Sequence, residues 1–245
     1  MLNGLDLFSG IGGITEGLKR WVRPVIYCEN ERYAQGVLLS RMEKGDLPIA
    51  PIWDDVTTLD GKQFKGKIDI IYGGFPCQDI SIAGHGKGLE GERSGLFFEI
   101  MRLVDEIRPQ FIFLENVPAI NFRGLGTATK EITERRYDSR WAVISASQIG
   151  ALHQRKRWFL LAYANGEFYN GSKGGGVRPK RCKPVRPNVR SLGTIKHFRA
   201  WAVEPNVGRV VDGLPRRLDR IKCLGNAVVP RQVEIAFEYL LKGSL

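Results

Sequence analysis

Residues 2–21 read LNGLDLFSGIGGITEGLKRW, an apolar run that closes on Asp6-Leu7-Phe8-Ser9-Gly10-Ile11-Gly12-Gly13 and passes directly into an amphipathic stretch from Ile14 to Trp21. A strand, a glycine turn and a helical period in that order open an α/β unit. Glycines at such a turn let a ligand approach the backbone, and the N-terminus of the helix that follows is mildly positive. A tight turn with no ligand would read the same way, and the GxGxxG spacing of a nicotinamide site is absent.

The same alternation continues outward to residue 164. Strands are predicted at Leu2 to Phe8, Pro24 to Glu29, Ile68 to Gly73, Phe111 to Glu115, Ala142 to Ser145 and Trp158 to Tyr163. Helices are predicted at Ile14 to Trp21, Tyr33 to Met42, Leu96 to Ile107 and Ala128 to Arg135. Leu96, Ile100, Leu103, Val104 and Ile107 recur every three or four positions, as a helix packed on a sheet requires. The fold class is therefore α/β, a doubly wound and mostly parallel sheet. From Asn165 to about Pro205 the texture changes to Gly, Pro and basic residues with little periodicity, which reads as a loop-rich insert or as a basic linker without a core. Arg231 to Leu241 is again amphipathic and returns to the main domain as a helix.

Composition bounds the function. A chain of 245 residues with 43% hydrophobic content buries one good core, with at most a small appended module. No stretch approaches the roughly 18 to 20 apolar residues of a membrane helix, and the start carries no export signal, so no membrane association is expected. The four cysteines form no CxxC pair and the three histidines no HExxH spacing. No metal is expected, and a reducing cytoplasm suits the cysteine usage. The formal net charge of +11 favours a polyanionic partner. Phe168 to Val203 contains nine basic residues, Arg178, Lys180 and Arg181 among them, and no acidic one, so nearly all the excess sits there.

Chemistry-bearing residues collect at predicted strand ends, where open α/β sheets build their sites. Glu29, followed by Asn30, occupies the position of an acid that bonds ribose hydroxyls, although a solvated acid at a strand end looks alike. Asp54 and Asp55, before Val56, follow a possible third strand and can accept from an adenine amino group, or form an ordinary turn. Gly73-Gly74-Phe75-Pro76-Cys77-Gln78-Asp79-Ile80-Ser81 presents a cysteine after an apolar strand. A lone cysteine there is more often a small buried hydrophobe, but the glycines, Pro76 and the polar glycine-rich loop 83–91 favour a nucleophile under a closing loop. Phe111-Ile112-Phe113-Leu114-Glu115-Asn116-Val117 ends a strand in a carboxyl, and Arg155 and Arg157 alternate onto one face, although by themselves they read as a solvated basic pair before a strand.

Taken together, these motifs resemble the DNA (cytosine-5)-methyltransferases over nearly the whole chain, most closely the compact Dcm-type enzymes of bacteria and prophages. The ordered set runs from Asp6 to Gly13 through Glu29-Asn30, Asp55-Val56, Pro76-Cys77-Gln78, Glu115-Asn116-Val117 and the arginine pair to Leu224-Gly225-Asn226-Ala227-Val228-Val229-Pro230. One departure stands out: the family's Gln-x-Arg-x-Arg reads His153-Gln154-Arg155-Lys156-Arg157 here.

The resemblance implies an S-adenosylmethionine-dependent methyltransferase fold in which residues 1–164 and 222–245 form the catalytic domain and 165–221 a small basic target-recognition domain. It implies S-adenosylmethionine as cofactor, contacted by Phe8, Gly10, Gly12, Glu29, Asn30, Asp55, Val56, Leu96 and Asn226. Cys77 would add to carbon 6 of cytosine and Glu115 would act at ring nitrogen 3. Arg155 would contact the base, and Arg157 would hold Glu115. Pro76, Gln78, Ser81, Arg178, Lys180 and Arg181 would contact the substrate. The implied partner is duplex DNA, read by a monomer in the cytoplasm of a bacterial or phage-infected cell. An RNA cytosine-5 methyltransferase and a catalytically silent nucleic-acid-binding protein are the alternatives, the second disfavoured by the intact catalytic set.

Overall fold

The computed structural model describes residues 1–76, 95–165 and 217–242. Seven strands form one sheet: β1 (Leu2–Leu7), β2 (Val22–Cys28), β3 (Ile52–Trp53), β4 (Ile70–Gly74), β5 (Phe111–Asn116), β6 (Tyr137–Ser145) and β7 (Lys156–Ala164). Their order is β3-β2-β1-β4-β5-β7-β6. β7 runs antiparallel to both its neighbours, while every pairing from β3 across to β5 is parallel. The helices are α1 (Gly13–Leu18), α2 (Arg32–Glu43), α3 (Gly95–Ile107), α4 (Ile120–Arg123), α5 (Leu125–Glu134), α6 (Arg217–Asn226) and α7 (Pro230–Lys242).

Side-chain alternation along the central strands explains why both faces are covered. Ile71, Ile112, Leu114, Trp158 and Leu160 point into a core shared with Phe97, Ile100, Leu103, Val104 and Ile107 of α3 and with Ala128 and Ile132 of α5. Ile70, Tyr72, Phe113, Phe159 and Leu161 point the other way, against Ile14 and Leu18 of α1 and Val233, Ala236, Phe237 and Leu240 of α7. The doubly wound, mostly parallel sheet expected from the sequence is what forms. The winding reverses between β1 and β4, so the crevice of the fold lies above the C-terminal ends of those two strands. Leu7 is level there with Cys28 and Gly73, and Gly74 with Glu115.

Three elements differ most from expectation, the first being the short helix α4, where the sequence predicts none. β6 begins at Tyr137 rather than Ala142, because its polar first half pairs along the full length of β7, ending at Tyr137 beside Ala164. α6 was not expected as a helix, and it runs continuously through residue 222, the position expected to mark the return of the chain to the catalytic domain.

Candidate active site

The glycine turn after β1 is built by positive backbone angles. Phe8 has φ 53° and Gly10 φ 54°, the region that glycine enters without a steric penalty. Among the described residues, a Cβ at Gly10 would meet nothing within 4 Å, so they leave the space beside its backbone open, whereas a Cβ at Gly12 would run into Leu38 and Leu47. The carboxylate of Glu29 braces this turn: Gly10 N–H donates to Oε2 at 2.7 Å and Glu31 N–H donates to Oε1 at 2.8 Å. Glu29 is buried, and each oxygen keeps a lone pair for a hydroxyl. Asn30 is exposed beside it. At the end of β3, the Thr57 hydroxyl and backbone N–H both donate to Asp55, which holds that exposed carboxyl below the ordinary range. Val56 is buried in the core, so only its backbone faces outward, and its carbonyl accepts from Arg102 at 2.9 Å. Leu96 packs half-buried at the start of α3, and Asn226 is exposed at the end of α6.

This edge suits S-adenosylmethionine. The open backbone at Gly10 admits close approach, Glu29 can accept from ribose hydroxyls, and an ionised Asp55 at the next strand end can accept from an adenine amino group.

The second half of the site gathers on β4, β5 and β7. Glu115 ends β5, is buried, and lies level with Gly74, where a Cβ would come within 2.6 Å of its Oε2. Only glycine at 74 leaves room for that carboxyl. Arg157 brings Nε to 2.7 Å from Glu115 Oε1 as an ion pair whose atoms are not aligned for a directed hydrogen bond. Burial pushes the Glu115 carboxyl up to about 7 against the opposing pull of Arg157 and Arg155. Arg155 is placed differently from its neighbour: its Nη2 donates to the carbonyls of Gly225, at 2.6 Å, and Ala227. His153 and Gln154 are both exposed, and His153 and Arg155 line a cavity of about 400 Å3 with Leu224, Ala227, Val228 and Val229.

Pro76 is the last described residue after β4 and is exposed. Cys77, Gln78, Ser81, Arg178, Lys180 and Arg181 lie outside the described residues. Two contributors carry no role that the sequence alone assigns. Asn116 donates to Phe75 O at 3.0 Å and accepts from Val117 N–H at 2.7 Å, which fixes the backbone two residues ahead of Cys77. Its place inside the Glu115-Asn116-Val117 motif was the available signal. Gln232, fully buried in α7, donates to Ile144 O and Arg155 O. Nothing local in the sequence marks it. Among the described residues no His, Cys, Asp or Glu group is arranged to hold a metal, and no helix is long and apolar enough to cross a membrane.

Comparison with known proteins follows the same lines. Residues 2–200 match the family model of the C-5 cytosine-specific DNA methylases. Type II methyltransferase M.CviJI of Paramecium bursaria Chlorella virus IL3A is 39% identical over 159 residues, covering 64% of this chain and 42% of that protein. Type II methyltransferase M.HhaI of Haemophilus parahaemolyticus is 33% identical over 169 residues, covering 67% and 50%. The chain thus spans about half the length of these relatives. A solved putative DNA modification methyltransferase from an E. coli prophage aligns with TM-score 0.54 and 29% identity over 67% of this chain and 47% of that one. A mutant of DNMT2 from Spodoptera frugiperda aligns with TM-score 0.56 over 75% and 56%, and at 19% identity it speaks to the fold alone. The fold is that of the S-adenosylmethionine-dependent C5 methyltransferases. With the family model matched over residues 2–200, most of this chain, the chain belongs to the C-5 cytosine-specific DNA methylases.

Proposed function

We propose that the protein methylates carbon 5 of a cytosine flipped out of duplex DNA, using S-adenosylmethionine and a covalent adduct to Cys77. The observation that carries this reading is Glu115, buried beside Gly74 at the end of β5, with an ionisation near neutrality. A carboxyl in that state can give a proton to a ring nitrogen at physiological pH. Carbon 5 of cytosine is a poor nucleophile, and covalent addition overcomes this. The Cys77 thiolate forms a bond to carbon 6 while Glu115 gives its proton to ring nitrogen 3, leaving carbon 5 electron-rich. S-adenosylmethionine, when bound, supplies the electrophilic methyl group. Water takes the proton from carbon 5, the electrons of that C–H bond form the carbon 5–carbon 6 double bond as the Cys77 thiolate leaves, and ring nitrogen 3 returns its proton to Glu115, which restores the ring.

The other residues bind and orient. Arg157 anchors Glu115 from β7, and Asn116 holds the backbone leading to Cys77. Gly10, Glu29, Asn30, Asp55 and Asn226 border the cofactor edge, Phe8, Gly12, Val56 and Leu96 support it, and Gln78 and Ser81 contact the extruded nucleotide. A stacked base cannot reach such a crevice, so flipping is required. Residues 165–221 act as the target-recognition region, with Arg178, Lys180 and Arg181 on phosphates, and the enzyme works as a monomer in the cytoplasm of a bacterial or phage-infected cell.

Bisulfite sequencing of DNA from a methylation-deficient host expressing the protein tests the reading. Protected cytosines in a fixed sequence context are expected, and none with Cys77→Ala. The wild type should also be trapped covalently by duplex DNA containing 5-fluorocytosine. Methylation that survives in purified Cys77→Ala would remove the mechanism.

A further inference from the structure

The turn Gly225–Val229 stands between the two halves of the site. On the cofactor side it lies against the start of α1, where a Cβ at Gly13 would come within 3.1 Å of both the Val228 carbonyl oxygen and its Cγ1. On the other side, the carbonyls of Gly225 and Ala227 converge on Nη2 of Arg155. That nitrogen has two hydrogens, and the two carbonyls take both. The carbonyls at the end of α6 form the negative pole of the helix, a place where a guanidinium is favoured. Arg155 is itself held from behind. Its backbone carbonyl accepts from the buried Gln232 amide at 2.7 Å and from Ala146 N–H at 3.1 Å. The same Gln232 amide donates to Ile144 O at 3.1 Å, so α7 grips both sides of the β6–β7 connection.

We propose that Arg155 is a positioning residue of the cofactor pocket: it fixes the turn carrying Asn226 against Gly13 and so sets cofactor affinity without touching the cofactor. This inference rests on the proposed use of S-adenosylmethionine. It separates the two arginines of the motif by their partners: both charges are felt by Glu115, but Arg157 is ion-paired to it, while Arg155 directs its Nη2 hydrogens to the turn. A guanidinium suits this task better than an ammonium, because the two hydrogens of Nη2 are held in the guanidinium plane at fixed directions, whereas those of an ammonium rotate.

The test is calorimetric binding of S-adenosylhomocysteine to the full chain without DNA. Losing two charge-assisted hydrogen bonds in Arg155→Leu should weaken binding by about tenfold or more. Arg155→Lys, which keeps the charge and the aliphatic stem, should recover part of that loss, and it carries the test if the leucine variant does not fold. Arg157→Leu should bind within about twofold of wild type, since Arg157 is tied to Glu115 and not to the turn. Thermal melts separate loss of affinity from loss of fold. Unchanged affinity in folded Arg155→Leu and Arg155→Lys, or weaker DNA binding with cofactor affinity intact, would overturn the inference and leave the functional reading standing. Failure of the wild type to bind S-adenosylhomocysteine would overturn both.

Discussion

Glu115 sits between opposing influences. Removal from water favours its neutral form, while the guanidiniums of Arg157 and Arg155 favour the carboxylate, and the balance falls at about 7. Its folded ionisation is therefore raised above the ordinary carboxylate value, so the proton it donates is present below about 7 and disappears as pH climbs through that point. The single-turnover methylation rate should carry an alkaline limb from this group. Glu115→Gln should erase that limb and slow the step by about a hundredfold or more, since an amide hydrogen-bonds but delivers a proton poorly. A pH-rate profile with the limb intact in the glutamine variant would show that Glu115 plays a structural part only. The paired glycines beside it should respond in different ways. A Cβ at Gly74 meets the Glu115 carboxyl at 2.6 Å, while one at Gly73 meets the Leu7 carbonyl oxygen of the next strand at 2.1 Å. A side chain can swing aside and a strand cannot, so Gly74→Ala should stay folded and lose at least about tenfold in kcat as the carboxyl is displaced. Gly73→Ala should instead cost about 1–3 kcal/mol of stability through overpacking, measured by urea unfolding. The position of Glu115 was legible in sequence because a strand end is a local signal. The direction of Arg155 and the part played by Gln232 were not, because their partners lie 70 and 77 positions away.

Among the elements, α7 ties the two ends of the chain together. It arrives from the far end of the chain to cover the sheet face that α1 leaves open, and Phe237 is its centre, edge-on to Phe113 at 5.3 Å and tilted against Trp21 at 5.3 Å. Phe237→Ala should cost about 3–5 kcal/mol in urea unfolding, the range for emptying a fully buried aromatic site. A loss below about 1 kcal/mol would mean that α7 is docked too loosely to brace Arg155 through Gln232. Helices such as α3 and α7 were readable because one face must be apolar wherever a sheet lies beneath it. α6 was not read as a helix: it is short and mostly polar, and the apolar residues it carries do not seat it on the sheet, since Leu218 and Leu224 are exposed. The polar half of β6 was missed for a related reason. An edge strand with one neighbour can be half-solvated, so Asp138 and Ser139 belong to it without looking like strand.

At the scale of the molecule, charge is distributed unevenly. Nine of the basic residues behind the net charge of +11 lie between Phe168 and Val203, where no acidic residue answers them. If this stretch meets phosphates, binding there displaces counterions, and the affinity for duplex DNA must fall as salt rises. Neutralising Arg178, Lys180 and Arg181 together should weaken binding of a duplex oligonucleotide at low salt and make the plot of log affinity against log salt shallower by about 0.9 for each phosphate that is no longer neutralised. Cofactor affinity should stay where it was, because the residues bracing that edge, Gly10, Glu29 and Asp55, belong to the other part of the chain. Phosphate contacts set register and base contacts set sequence, so the methylated sequence should survive the three neutralisations and change only when the whole segment is exchanged for that of a related enzyme. A Gly/Ser replacement that keeps the same methylation pattern at low salt would reduce the segment to a basic tether.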